Sequence, residues 1–383
     1  MRFCFLLVLA FAPLARAADL PDGLYAEFST PRGDFVCELF ADEVPLPVTS
    51  FVGLAEGTLA PRNGQPYYSG LRWYRVVPNF VIQSGDPDHD AHVDVDDPGT
   101  PYTYPDQFVP GVHHDAIGVL SMANAGPDTN SCEFFLTLRD TNRLNYLHSV
   151  FGRVVRGLDV LPKIEADDAF TIRILRIGDA ARAFRADQAA FDALLAQAKR
   201  YTGTDEPGPA AHFDDPDTLL PVDPPRAKYF NFKLANFERT TGLKVYARVF
   251  AKSPSEEEDS APGVYMRGLA TRLGTAKRGV LAVYFADEDD WRLWIGDDVV
   301  SAFLGRDPAD GDLGEDGALH DAKTAFLEAA IAEGNAAYAE QQQAAPADRQ
   351  PPPGQRIKLQ TDAVLDGVLL KLERLVAPGG EGS

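Results

Sequence analysis

The stretch LSMANAGPDTNSCEFF, Leu120 to Phe135, sets small and turn-forming residues between two apolar ends. Pro127 to Asn130 carries turn chemistry, so the runs GVLSMA and EFFLTL on either side read as short strands. The same texture continues outward. YAEFST and GDFVCELF flank Pro31-Arg32-Gly33 as a hairpin, and LRWYRVV, NFVIQSG, SVFGRVV and FTIRILRIG add further strand-like pieces. Pro47 to Leu59 places Val48, Phe51, Val52, Leu54 and Ala55 as the apolar side of one helix. Many strands with one or two helices predict a mainly β first domain, a barrel closed by helices.

The chain has 383 residues, which exceeds a typical domain of about 100–200, so a second domain is expected. Ala180 to Arg200 reads as a helix, followed by the Pro- and Asp-rich stretch YTGTDEPGPAAHFDDPDTLLPVDPPR, a linker in composition. Beyond it helical and strand patterns alternate: YFNFKLANFERTTG, LKVYARVFA, VYMRGLATRLG, then GVLAVYFADEDDWRLWIG as a hairpin turned by DEDD. That alternation predicts a second α/β domain. QQQAAPADRQPPPGQ is low-complexity, and Thr361 to Leu375 forms a last amphipathic helix. The expected division is a leader at 1–17, a first domain at 22–180, helix and linker at 181–225, an α/β domain at 226–345, and the low-complexity segment with its terminal helix at 346–383.

Met1-Arg2, the apolar run Phe3–Leu14 and Ala15-Arg16-Ala17 have the form of a signal peptide, which predicts export to the periplasm or beyond the cell. The run is shorter than the ~20 residues a membrane span needs, and none is expected after cleavage. A formal net charge of −21 opposes binding to nucleic acid or anionic lipid. Cys37 and Cys132 are the cysteines beyond the leader, too few for a disulfide framework, and are read as free or buried thiols. The acidic run DPDHDAHVDVDDP, Asp86–Pro98, lacks EF-hand spacing and reads as a surface loop, so neither metal nor other cofactor is expected.

RWYRVVPNFVIQSGD (Arg72–Asp86), the opening stretch, and LNYLHSVFGRVVRG (Leu144–Gly157) together supply aromatic surface and a few polar groups, the material of a ligand groove. These three stretches, with CELFADEVP (Cys37–Pro45), resemble the cyclophilin family of peptidyl-prolyl cis–trans isomerases in order and spacing from about Leu24 to Gly178. The resemblance implies an eight-stranded antiparallel barrel capped by two helices. It implies Arg75 as the catalytic donor toward the prolyl nitrogen and Phe80, Val81, Phe135 and Leu144 as the proline pocket, with His148 at its edge. Ala123, Asn124 and Ala125 match the shelf holding an extended peptide; Gln83, Tyr74 and Glu133 stand near Arg75.

Some positions depart from the family pattern. Tyr74 stands where many members have His, and Val81 replaces Met. Arg143 takes the place of a Trp used for cyclosporin, so weak binding of that drug is expected. Glu133 replaces Gln; its carboxylate could orient Arg75 or neutralise it. The expected activity is isomerisation of Pro-containing polypeptide clients. The alternative is a proline-peptide-binding scaffold with catalysis quenched. RTTGLKVYARVF and RGVLAVYFADEDDWRLWIGDDVVSAF resemble the TPM-domain family, which implies a C-terminal module for a protein partner and carries over no catalytic residue.

Overall fold

The computed structural model describes residues 20–62, 64–88, 101–221, 226–314 and 316–376. The leader and most of the Asp86–Pro98 run therefore lie outside the described residues.

The first half folds as an eight-stranded antiparallel sheet. Its strands are β1 (Gly23–Thr30), β2 (Gly33–Leu39), β3 (Arg75–Val77), β4 (Val81–Ser84), β5 (Val119–Met122), β6 (Phe134–Thr137), β7 (Val150–Arg156) and β8 (Thr171–Ile177). They lie in the order β3-β4-β6-β5-β7-β2-β1-β8. The open ends meet where Arg72 bridges Ala169 and Trp73 exchanges backbone hydrogen bonds with Asp167 and Asp168, which closes the barrel. The hairpin read at Pro31-Arg32-Gly33 is present, with Thr30 opposite Gly33.

Alternation along the strands sorts the side chains into two clusters. Phe134 and Leu136 of β6 point into a core with Phe28, Phe51, Trp73 and Phe151, while Phe135 points the other way and joins a separate cluster with Val81 and Ala123. The ring of Phe134 lies 5.4 Å from Phe51 and 5.8 Å from Trp73, both edge-on. Burying each such ring contributes about 1.5–3 kcal/mol. Helix α1 (Pro45–Glu56) covers one side, started by proline in its first turn and ended by Gly57 at φ 76°. The other cap is a short 3-10 helix, Leu158–Lys163, which buries Val160 and Leu161 and contains Pro162.

The Ala180–Arg200 segment is two helices rather than one. Helix α2 (Gly178–Ala183) stops, and α3 (Gln188–Leu195) restarts at Asp187, whose carboxylate accepts the Ala190 amide. A capping Asp in mid-segment is a restart signal. The Pro- and Asp-rich stretch that follows contributes a short strand, β9 (Phe213–Asp214), with Phe213 fully buried.

β9 belongs to a second sheet with β10 (Lys244–Phe250), β11 (Gly279–Phe285) and β12 (Asp290–Ile295), in the order β12-β11-β10-β9. β9, β10 and β11 run parallel, and β12 returns antiparallel through the acidic turn. Around it lie α4 (Arg226–Thr241), α5 (Val264–Leu273), α6 (Val300–Leu304), α7 (Ala318–Ala344) and α8 (Pro353–Glu373). α8 starts well before Thr361: prolines are tolerated at a helix's first turn, so PPPGQ opens the helix instead of extending the low-complexity segment. Val364, Leu365, Val368 and Leu372 place α8 in one core with Phe237, Val245 and Ala282. Among the described residues no helix is long and apolar enough to cross a membrane.

Candidate functional site

The site is built on the outward faces of β3, β4, β5 and β6. Arg75 stands opposite Gln83, Gln83 opposite Phe135, and Phe135 opposite Ser121, a row of cross-strand neighbours. β4 ends at Gly85, where φ is 113° and a Cβ would come within 2.4 Å of the Cys132 carbonyl. Only glycine lets that backbone approach Cys132-Glu133 so closely.

Phe80, Val81, Ala123, Phe135 and Leu144 come together as one small apolar cluster. His148 meets the Phe135 ring edge-on at 5.5 Å. Its Nδ1 donates to the Met122 carbonyl at 3.1 Å, and burial pushes its pKa down to about 4, so the ring is neutral at ordinary pH. Behind Phe135, fully buried His114 stacks on the same ring at 5.7 Å. His114 lies 2.9 Å from Ser121 Oγ through Nε2 and 3.0 Å from Asn145 Oδ1 through Nδ1, and burial pushes its pKa down to about 3. His114 thus braces Phe135 from behind.

Arg75 is exposed at the edge of this cluster and donates to Gln83 Oε1 at 2.7 Å. The Gln83 amide nitrogen in turn donates to Tyr74 Oη at 2.9 Å and to Glu133 Oε2 at 3.3 Å, while Tyr74 donates to Glu133 Oε1. Glu133 is buried. Beside the buried carboxylate, the Tyr74 hydroxyl is pushed well above its usual pKa by burial and by that charge. The Arg75 guanidinium can only donate hydrogen bonds. The amide of Gln83 is therefore fixed with its oxygen toward Arg75 and its nitrogen inward, toward Tyr74 and Glu133. Glu133 reaches Arg75 through Gln83, in the manner of an orienting group.

That chain of bonds gives a graded expectation. Glu133→Gln keeps an acceptor oxygen at this place, so turnover should be preserved or raised. Glu133→Ala takes the acceptor from the half-buried Tyr74 hydroxyl and one of two acceptors from the Gln83 amide nitrogen; an unsatisfied group costs about 1–3 kcal/mol, and turnover should fall with stability. Thermal unfolding and peptide turnover on both variants decide it: a large loss in Glu133→Gln would mean that the charge itself positions Arg75.

Asn124 is held by its side chain, which donates to the Leu147 carbonyl at 2.9 Å and to Asp106 Oδ1 at 3.2 Å. The Ala123 amide bonds the Glu133 carbonyl at 3.0 Å and the Ala125 amide bonds Thr129 Oγ1 at 2.9 Å, which fixes the course of the shelf. Arg143 lays its guanidinium over the Phe80 ring at 4.6 Å from the centroid. The residues read as site residues are thus linked by cross-strand pairing, ring contacts and hydrogen bonds, with Arg75 exposed and Gln83 and Glu133 buried.

Residues 25–178 match the family model described as cyclophilin type peptidyl-prolyl cis-trans isomerase/CLD. Over 138 residues the chain is 38% identical to "Peptidyl-prolyl cis-trans isomerase ppi1" of Schizosaccharomyces pombe, covering 36% of this chain and 83% of that protein. This chain belongs to the cyclophilin family. It is also 38% identical over 151 residues to "Peptidyl-prolyl cis-trans isomerase A" of Mycobacterium tuberculosis, covering 38% of this chain and 76% of that protein. A crystal structure of a cyclophilin type isomerase from Cryptosporidium parvum matches 40% of this chain and 98% of its own, at 24% identity and a TM-score of 0.34. The cyclophilin family comprises peptidyl-prolyl cis–trans isomerases that bind proline-containing peptides, and the barrel described above carries that activity.

The cyclophilin barrel is not alone at its groove. Helices α4 and α8 stand over the strap Leu144–His148, and a cavity of about 310 Å³ separates Asn124, Leu144 and His148 from Tyr229, Phe232 and Lys358. These helical residues are not legible from sequence as neighbours of the groove, because nothing local marks a contact between distant segments. Cys37 and Cys132 are buried thiols outside any disulfide, and burial lifts the Cys132 thiol to about 12.

Proposed function

We propose that this cyclophilin is an exported enzyme that assists folding by stabilising the twisted prolyl amide without a covalent step. One observation carries the reading: Arg75, held by Gln83, stands at the rim of the apolar cluster of Val81, Phe135 and Leu144. Rotation about a peptide C–N bond faces a barrier of ~18–20 kcal/mol, set by conjugation of the nitrogen lone pair with the carbonyl. Twisting the bond localises that pair on the prolyl nitrogen. The pocket grips the proline ring, the Ala123–Ala125 shelf holds the flanking chain, and Arg75 donates to the nitrogen. Because the lone pair accepts well only in the twisted state, the bond favours the transition state over either planar end.

The leader-like residues 1–17 support export, and the order of elements after Arg226 agrees with a TPM-like module that presents clients. Arg143 over Phe80 puts a cation where cyclosporin would meet an aromatic ring, so weak affinity for that drug is expected. The test pairs relaxation of a Pro-containing peptide with refolding of a proline-limited client, and N-terminal sequencing of the exported protein. Acceleration of both, with a mature terminus at Ala18, is the expected result. Peptide binding without acceleration would favour the scaffold reading instead.

A further inference from the structure

The proline pocket of this chain opens into a cleft whose far wall belongs to the second unit. The near wall is the shelf Asn124–Pro127, and the floor is the strap containing Leu144, Leu147 and His148. Opposite stands one face of α4, where Tyr229 and Phe232, three residues apart, both line the cleft. The approach is close: a Cβ on Gly126, which has φ 140°, would lie 3.8 Å from the Phe232 ring. The two walls are fixed to each other. Asn236 donates to the Tyr146 carbonyl at 2.7 Å, and Arg239 pairs with Asp128, just past the shelf, at 2.8 Å.

The chemistry of the far wall is aromatic, and its buried lysines are matched. Lys233 and Lys358 also line the cleft, and both are buried; Lys233 is paired with Asp366 and Lys358 with Asp362. Their charges are committed to carboxylates of α8, so they offer little to an anionic ligand. Tyr229, more than a third exposed, stands at the mouth. A volume of about 310 Å³ is at the small end of the ~300–1,000 Å³ typical of ligand pockets.

We infer that this cleft is a substrate subsite shared between the two units, which takes a neutral aromatic side chain close in sequence to the isomerised proline. The inference rests on the isomerase reading of the adjoining pocket. The occupant follows from continuity, since Phe80, Leu144 and His148 border both the proline pocket and the cleft. A peptide lying along the shelf advances about 3.3 Å per residue and sends alternate side chains to opposite sides. A residue near the proline therefore delivers its side chain between the shelf and α4.

The test uses the full chain and peptides that differ only in carrying Phe or Ala at the positions flanking the X-Pro unit, before it in one series and after it in the other. Wild type should prefer the Phe peptide in one series by about tenfold in kcat/KM, the size expected of an aromatic pair with its buried area. Tyr229→Ala should reduce that preference to within about twofold by raising KM for the Phe peptide, as stacking would require. Its rate on the Ala peptide should not change, which also reports intact folding. Tyr229→Phe should keep the preference. No preference in wild type, or an equal loss on Phe and Ala peptides in Tyr229→Ala, overturns the inference. If wild type isomerises neither peptide, the isomerase reading fails by itself. Titrated affinities of the same peptides then decide the cleft, a Tyr229-dependent preference for Phe upholding it and equal affinities refuting it.

Discussion

Arg75→Ala should lose about 10²–10³-fold in kcat/KM for peptide isomerisation, the usual effect of removing one preorganised donor aimed at a transition state. The loss should fall on kcat. Arg75 lies outside the apolar cluster of Phe80, Val81, Phe135 and Leu144, which on the proposed reading grips the proline ring, so substrate affinity should change little. The fold should be indifferent, because Arg75 is exposed and its bond goes to Gln83, whose amide also holds Tyr74 and Glu133. Arg75→Lys should recover part of the loss: it restores a charge but not the planar fork that meets Gln83 and the prolyl nitrogen together. Stopped-flow relaxation of a Pro-containing peptide, with affinity measured separately, checks the split. Unchanged turnover in Arg75→Ala would remove this residue from the chemistry.

How far such a site can be read from sequence depends on the range of the contacts that build it. The Phe134-Phe135 doublet is legible because strand alternation must send one ring to the core and the other to the outer face, and it does. Arg75, Gln83 and Phe135 are likewise brought together by strand register, which the spacing within RWYRVVPNFVIQSGD and NSCEFF already contains. Glu133 was half legible: its nearness to Arg75 could be read, but not the interposed Gln83 that decides what the carboxylate does. The restart of a helix at Asp187 and the helical start at Pro353 are local signals that composition overshadowed. The far wall of the groove is of another kind. Tyr229 and Phe232 look like any amphipathic helix face, and only packing between segments far apart in the chain makes them neighbours of Leu144.

Glu373→Ala should destabilise the chain by about 1–3 kcal/mol through the buried Tyr146 hydroxyl it leaves without an acceptor, with a smaller loss at Gly111 and His113. Glu373 sits in the last turn of α8, 4% exposed, and its acceptors are used by the barrel. It receives Tyr146 Oη at 2.6 Å, the Gly111 amide at 3.0 Å, and lies 2.7 Å from His113 Nε2. Tyr146 is the key to the functional effect. It belongs to the barrel, yet its ring is buried in the second core, edge-on to Phe237 at 5.1 Å, with backbone held at φ 61°. A non-glycine residue keeps that conformation only where its surroundings enforce it. Its neighbours along the strap reach the candidate site: Leu144 belongs to the apolar cluster with Phe135, Asn145 holds His114 behind Phe135, the Leu147 carbonyl anchors Asn124, and His148 meets the Phe135 ring edge-on. Loosening Tyr146 should therefore relax the pocket and the shelf together. Thermal unfolding should show the destabilisation, hydrogen exchange should rise at the strap amides, and KM should rise more than kcat falls. Glu373→Gln, which keeps an acceptor for Tyr146, should lose less. A Glu373→Ala protein with wild-type stability and unchanged KM would show that the docking of α8 leaves the groove untouched.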